Sequence, residues 1–258
     1  AGLGFDAVEL PLMNPDSLPV TEIKERIERQ GPGQGGLEVY CGTGLGPAAD
    51  ISSPDAGIRA AGLRHLQKCL ETAAALGSPS LGGVIHSAWG KKGRVSAEGR
   101  KNSASVLRTA ADMAADLGLR IALECINRYE SSFLNTVEQG MDLLSMIDRE
   151  NAGLHLDTYH MNIEERSFEE AFKLAGGRLF HLHLSENHRG YPGSGLLDWG
   201  RIIDLAREYN YNGPWIIESY VEPGTSQSND VFIWREIEPD SGESLKKSLK
   251  MLSGIIKK

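Results

Sequence analysis

From residue 5 onward, short runs in which apolar and polar positions alternate are separated by longer stretches in which apolar residues recur every three or four positions. The first pattern suits a strand with one buried face, and the second a helix that packs by one stripe. Strands are predicted over residues 5–10, 37–41, 80–86, 120–126, 153–159, 179–185 and 215–219. Helices are predicted over about 17–29, 55–76, 97–117, 136–148, 167–175 and 199–209, with a last one near 243–255. Such strict βαβα order predicts a parallel sheet with helices outside, and the spacing of the units suits an α/β barrel that takes in residues 1–258 as one domain.

Helix punctuation supports this reading. Ser53-Pro54 offers a hydroxyl cap followed by a proline at the first helical position, and Asp55 adds negative charge to that turn. Helices then stop at Leu76-Gly77 and Leu117-Gly118, with glycine where a left-handed cap is needed. Leu3-Gly4 stands in the same relation to the strand at 5–10. By that analogy the chain opens at the end of a helix whose body and preceding strand are absent, leaving seven strands where a closed barrel of this type wants eight. Gly31–Gly36 reads as a turn, and Gly42–Gly46 as a plain βα loop, because its spacing is not that of a dinucleotide fingerprint.

Composition narrows the function classes. Forty per cent hydrophobic and 24 per cent charged residues over 258 positions describe a globular chain with ample material for a large core. A formal net charge of −8 with no lysine or arginine stripe argues against a nucleic-acid or anionic-membrane surface, and the short clusters at Lys91–Arg94 and Lys246–Lys250 read as solvated faces. Cys41, Cys69 and Cys125 are odd in number, widely spaced and set in apolar runs, which suits reduced buried thiols in a cytoplasm. No apolar run reaches membrane-spanning length.

The candidate chemistry lies at strand ends. In residues 154–165, Leu154 and Leu156 share one face of a strand while His155 and Asp157 share the other. Glu124 likewise shares a face with Ala122, His183 with His181 and Ser185, and Glu218 follows Trp-Ile-Ile. The separations are 33, 26 and 35 residues, each about one βα unit, so neighbouring strands deliver Glu124, Asp157, His183 and Glu218 to the end of the sheet where barrel enzymes work. Three carboxylates and one imidazole form a hard, oxygen-rich donor set that favours Mn²⁺ or Mg²⁺, with Co²⁺ a further option. Just beyond these ends come Glu130, His160, Glu186, His188 and Arg189, while His86 and Trp89 follow an earlier strand. His65 reads as surface or packing, and His155 and His181 as hydrogen-bonded core one pleat deeper.

With these motifs in place, the segments 123–130, 154–165, 183–189 and 217–218 together resemble the ketose 3-epimerases of the D-tagatose, D-allulose and L-ribulose 3-epimerase group, in register from Leu3 to the C-terminal helix. The resemblance implies a (β/α)8 TIM-type barrel, with Glu124, Asp157, His183 and Glu218 holding a divalent metal, usually Mn²⁺ or Co²⁺. It implies that Glu130, His160 and Arg189 hold the O1 to O3 end of a free ketose, with Trp89 matching a tryptophan at the pocket. His86, Ser87 and Ala88 stand where many members carry a tyrosine-containing sequence.

Inverting C3 of a 2-ketose requires removing a proton alpha to the C2 carbonyl and returning one to the other face. A Lewis-acidic metal would stabilise the cis-enediolate, and two carboxylates, here Glu124 and Glu218, would serve as base and acid. Arg189 would neutralise charge on the oxygens, and His160 would orient them. A homo-oligomer, dimer or tetramer, is expected. The alternatives are an aldose–ketose or hydroxypyruvate-type isomerase of the same superfamily, or a non-catalytic barrel that binds sugar or metal; a related metal-rich endonuclease would need more strand-end histidines and a basic groove.

Overall fold

The computed structural model describes residues 3–29 and 36–257. Seven parallel strands follow one another in chain order: β1 (Ala7–Pro11), β2 (Glu38–Leu45), β3 (Ser80–Ala88), β4 (Arg120–Glu124), β5 (Ala152–Asp157), β6 (Leu179–Leu184) and β7 (Trp215–Ile217). Helices α1 (Val20–Glu28), α2 (Ala56–Leu76), α3 (Ala97–Asp116) and α4 (Val137–Ile147) connect the first five strands. They are followed by α5 (Thr158–Glu164), α6 (Phe168–Ala175), α7 (Trp199–Glu208), α8 (Ser226–Asp230) and α9 (Ser241–Ile256). The sheet curls into a nearly closed barrel in which β1 and β7 approach one another, with no ladder between them among the described residues.

Burial along the strands reflects this arrangement. Every residue of β5 and β6 is buried, because neighbouring strands and helices cover both faces, whereas β1 and β7 at the ends of the strand order are half-buried. Outward-facing Leu123, Leu154, Leu156, Leu182 and Leu184 pack against the helical layer. In the same layer α2 packs on β2 and β3 with Leu66, Cys69, Leu70 and Ala73, and α3 on β3 and β4 with Leu107, Ala110, Ala111 and Ala114, each set spaced to lie on one helical face. Each fully buried leucine contributes roughly 1.5–3 kcal/mol of transfer free energy, so this layer holds the frame rigid under the strand ends. All three cysteines are free and buried, and burial pushes the Cys41 thiol up to about 12.

The elements expected from periodicity are present, with instructive differences. The glycine-rich stretch after Cys41 is strand and not loop: β2 runs on to Leu45, pairing Gly42 with Pro11 and with Gly82. Ser53 does not cap α2. Asp55 does, its carboxylate accepting from Gly57 N at 2.6 Å and Ile58 N at 3.1 Å, while Ser53 Oγ accepts from Asp55 N. The strand predicted to reach residue 159 ends at Asp157, where α5 begins, because the Asp157 side chain accepts from Tyr159 N at 2.7 Å and turns the chain into a helix. Gly77 and Gly118 take positive φ values of 80° and 72°, as the Leu-Gly stops predicted. Lys91 is no solvated charge, since its ammonium pairs with Asp50 at 2.6 Å. Most of the turn predicted at 31–36 lies outside the described residues.

Candidate metal and sugar site

Glu124, Asp157 and His183 stand at the C-terminal ends of β4, β5 and β6, and Glu218 follows β7, its N–H continuing the ladder to Leu184 O at 3.2 Å. Asp157 and His183 are paired in register, and each of the four offers a ligand atom within 4.8 Å of the others. All four strand-end residues singled out by spacing are therefore brought together. Burial, and then the charge of Glu218, push the Glu124 carboxyl well above the ordinary range. Burial also pushes Asp157 up, to about 6, against the opposing pull of Arg189. Glu218 goes the other way: burial opposes it, but Arg189 and His183 hold it well below the usual carboxylate range.

Two buried atoms in this cluster make no hydrogen bond, His183 Nδ1 and Glu218 Oε2, although they lie 3.4 Å apart. Arg189 Nη1 is 2.9 Å from that same Glu218 oxygen, but not in hydrogen-bond geometry. An unpartnered imidazole nitrogen facing an unpartnered carboxylate oxygen, among three clustered carboxylates, is an arrangement that a divalent cation satisfies, and the oxygen-rich donor set with one nitrogen fits Mn²⁺, Mg²⁺ or Co²⁺.

Around the cluster, Arg189 forms a buried ion pair with Asp157 Oδ2. Its guanidinium lies over Tyr159 and Tyr220, 4.6 and 5.1 Å from their ring centres. Its backbone adopts φ 68°, unusual for a non-glycine residue, in a turn closed by Arg189 N to Glu186 O at 2.9 Å and Glu186 N to Gly190 O at 3.0 Å. Glu186 holds the following loop, accepting from Asn187, Gly193 and Leu197 N–H groups and from Trp199 Nε1. It is a structural residue and not a solvated side chain.

His160, at the start of α5, accepts at Nδ1 from the backbone N–H of Asn127 at 3.2 Å and from its side-chain amide at 2.8 Å. Burial and the charge of Arg189 hold its pKa well below the ordinary value, so the neutral ring carries its proton on Nε2. That nitrogen faces Glu124 Oε1 at 3.9 Å and Arg189 Nη2 at 3.3 Å. The same Asn127 amide donates to Glu130 Oε1 at 2.8 Å, and burial pushes the Glu130 carboxyl up, with the nearby Arg189 and the Asn127 and Trp89 side chains opposing. Trp89 is half-buried where β3 ends, its backbone N–H donating to Leu45 O at 2.7 Å. Asn127 was not legible as a functional residue, though its place three residues before Glu130, right after a strand, signals an Asx turn; its Oδ1 accepts from Tyr129 and Glu130 N–H groups.

The remaining histidines are supports. His86 donates from Nε2 to Glu124 O at 2.9 Å and stacks on Phe133, and burial lowers its pKa to about 4. His65 is half-buried, with Nε2 3.1 Å from Thr43 Oγ1. His188 lies against the Asn187 side chain, 3.4 Å away. One pleat below the cluster, His181 Nε2 and His183 Nε2 both contact Glu9 Oε2, at 2.9 and 2.8 Å. His155, expected to be hydrogen-bonded, is buried with neither nitrogen partnered and packs edge-on against His181 and His183. The sequence signal for Glu9 is slight: an acid between Val8 and Leu10 of a strand points to the face opposite the apolar one.

Comparison with known proteins identifies the family. Residues 1–253 match the xylose isomerase-like TIM barrel family. The chain is 37% identical over 257 residues to an L-ribulose 3-epimerase from Methylomonas sp. (strain DH-1), covering 98% of this chain and 87% of that one. It is 32% identical over 240 residues to a D-psicose 3-epimerase from Agrobacterium fabrum, covering 92% of this chain and 82% of the other. The structure superposes, with a TM-score of 0.91 and 36% identity, on a D-allulose 3-epimerase from Methylomonas sp. in complex with D-allulose, covering 98% of this chain and 87% of that one. The chain thus belongs to the xylose isomerase-like TIM barrel family and, within it, to the ketose 3-epimerases, carbohydrate epimerases of the isomerase class.

Proposed function

We propose that the protein inverts C3 of a free ketose by removing the C3 proton on one face and returning a proton to the other, with Glu124 and Glu218 as the exchanging pair. The observation that carries this reading is geometric: Glu124 at the end of β4 and Glu218 just after β7 converge on one cluster with Asp157 and His183, each offering a ligand atom within 4.8 Å of the others. Two carboxylates that reach the site from separated strands can take the proton from one face of the sugar and return one to the other, and they exchange roles in the reverse direction.

Glu124, Asp157, His183 and Glu218 would hold a divalent ion, with Mn²⁺ the working metal. When bound, it supplies Lewis-acid polarisation of the C2 carbonyl and lowers the cost of negative charge on the sugar oxygens. His160 presents its Nε2–H to the ketose oxygens, because Asn127 occupies Nδ1. Arg189 holds positive charge beside Asp157 and Glu218 and offsets the enediolate charge as the proton leaves C3. Glu130 holds a sugar hydroxyl at the same end, with Trp89 forming the wall behind it. We read the protein as a cytoplasmic homo-oligomer, dimer or tetramer; the buried free thiols agree with a reducing compartment, and no helix among the described residues is long and apolar enough to cross a membrane.

The test is to incubate Mn²⁺-loaded protein with a panel of ketopentoses and ketohexoses in deuterated water. Deuterium at C3, accompanied by the C3 epimer, is expected. An aldose product, or tight sugar binding with no exchange, overturns the reading.

A further inference from the structure

Glu9 reaches across the barrel interior from β1 to β6, linking two strands that are not neighbours in the sheet. Even a partly buried carboxylate such as Glu9, with its side chain 14% exposed, carries a desolvation cost, so an apolar residue would serve better if filling were the only need. The neighbouring strand makes room for it: a Cβ at Gly42 would lie 2.7 Å from Glu9 Oε1. A single oxygen, Oε2, holds His181 Nε2 at 2.9 Å and His183 Nε2 at 2.8 Å. An ionised carboxylate has no proton to donate, so in that geometry it accepts from both rings and both Nε2 atoms carry hydrogen.

The consequence differs for the two rings. His181 Nδ1 is buried without a partner, whereas His183 Nδ1 faces Glu218 Oε2 at 3.4 Å. The His183 ring is also buttressed by His155, its centroid 4.1 Å away at a steep angle, so it has little freedom to flip. A histidine that ligates a metal must offer a bare nitrogen, and a carboxylate on its other N–H fixes both tautomer and orientation. We propose that Glu9 is a positioning residue for the metal centre: it holds the proton of His183 on Nε2 and so presents Nδ1 to the divalent cation. This rests on the reading of Glu124, Asp157, His183 and Glu218 as metal ligands.

Two measurements test it. In Mg²⁺-loaded protein labelled with ¹⁵N-histidine, His183 should show a protonated Nε2; a bare Nε2 overturns the proposal without any variant. In Mn²⁺ titrations followed by electron paramagnetic resonance, Glu9→Gln, which keeps the side chain's shape, should bind Mn²⁺ roughly 10–100-fold more weakly, while His181→Gln should bind like the parent. Unchanged affinity in Glu9→Gln overturns the inference, as does an equal loss in both variants, which would mark Glu9 as a strut between strands. Glu218→Gln separates the two levels. If the parent protein binds no Mn²⁺, or if Glu218→Gln binds it as tightly as the parent, the ligand reading itself falls and takes this proposal with it.

Discussion

Arg189 and Asp157 form an ion pair that is almost completely shielded from water, and the same guanidinium nitrogen lies 2.9 Å from Glu218 Oε2. One cation thus balances two of the three clustered carboxylates, and it does so from a backbone held at φ 68°. Its plane is fixed between Tyr159 and Tyr220, an arrangement that a flat guanidinium fills and an ammonium does not. Arg189→Lys is therefore expected to lower kcat/KM by roughly 100-fold or more, since breaking a buried pair costs about 3–5 kcal/mol. Steady-state kinetics with the best ketose of the panel checks this, and a variant within threefold of the parent would remove Arg189 from the assigned role.

Glu218→Gln separates proton transfer from binding. The amide keeps an oxygen and most of the shape but cannot accept the C3 proton, so turnover should fall by roughly 10²–10⁴-fold. Ketose binding, measured by calorimetry with excess Mn²⁺ to saturate the weakened site, should survive. Near-normal turnover would refute the acid–base assignment.

His86 makes stability depend on pH in a defined window. Its folded-state pKa of about 4 lies below the ordinary imidazole value, because burial disfavours the charged ring. As pH falls below about 6.5 the unfolded chain takes up a proton that the folded chain refuses, so stability is lost progressively and the loss levels off below pH 4. The full effect is about 3 kcal/mol from a shift of that size. His86→Gln can still donate to Glu124 O, so its stability should fall less steeply than the parent's between pH 6.5 and 4 in urea denaturation. Parallel curves would show that His86 does not titrate this way.

Metal removal should register as lost stability as well as lost activity. At a free Mn²⁺ concentration about 100 times its Kd, binding adds about 2.7 kcal/mol, which for a chain of this size corresponds to roughly 5–10 °C in Tm. Chelation should remove that increment and added Mn²⁺ restore it. A Tm indifferent to chelator, measured by calorimetry, would argue that no ion is held by the four strand-end residues.

The βαβα order, the Leu-Gly helix stops and the four strand-end residues Glu124, Asp157, His183 and Glu218 were legible in the sequence because each depends on local periodicity. Alternation alone puts Asp157 on the face opposite Leu154 and Leu156, and spacing by one βα unit carries the same logic to His183 and Glu218. Helix α5 was less legible, since its start depends on one capping bond from Asp157 to Tyr159 N. Gly42 was misplaced into a loop because glycine lowers strand propensity, while its reason for being in β2 is a side chain on another strand, that of Glu9.

What the sequence by itself determined is the order of the elements and which way the residues near the strand ends face, because a two-residue period leaves no other choice once the strands form; where β2 and β5 stop, at Leu45 and Asp157, it did not determine. The tertiary structure alone decided which side chains meet: Glu9 with His181 and His183, 172 and 174 positions along the chain, and Asn127 with His160, 33 positions away. These contacts exist because the sheet curls until β1 faces β6 across the interior. Their energies come from removing charges and imidazole nitrogens from water into a shared cavity, a property of the closed space that no local pattern encodes.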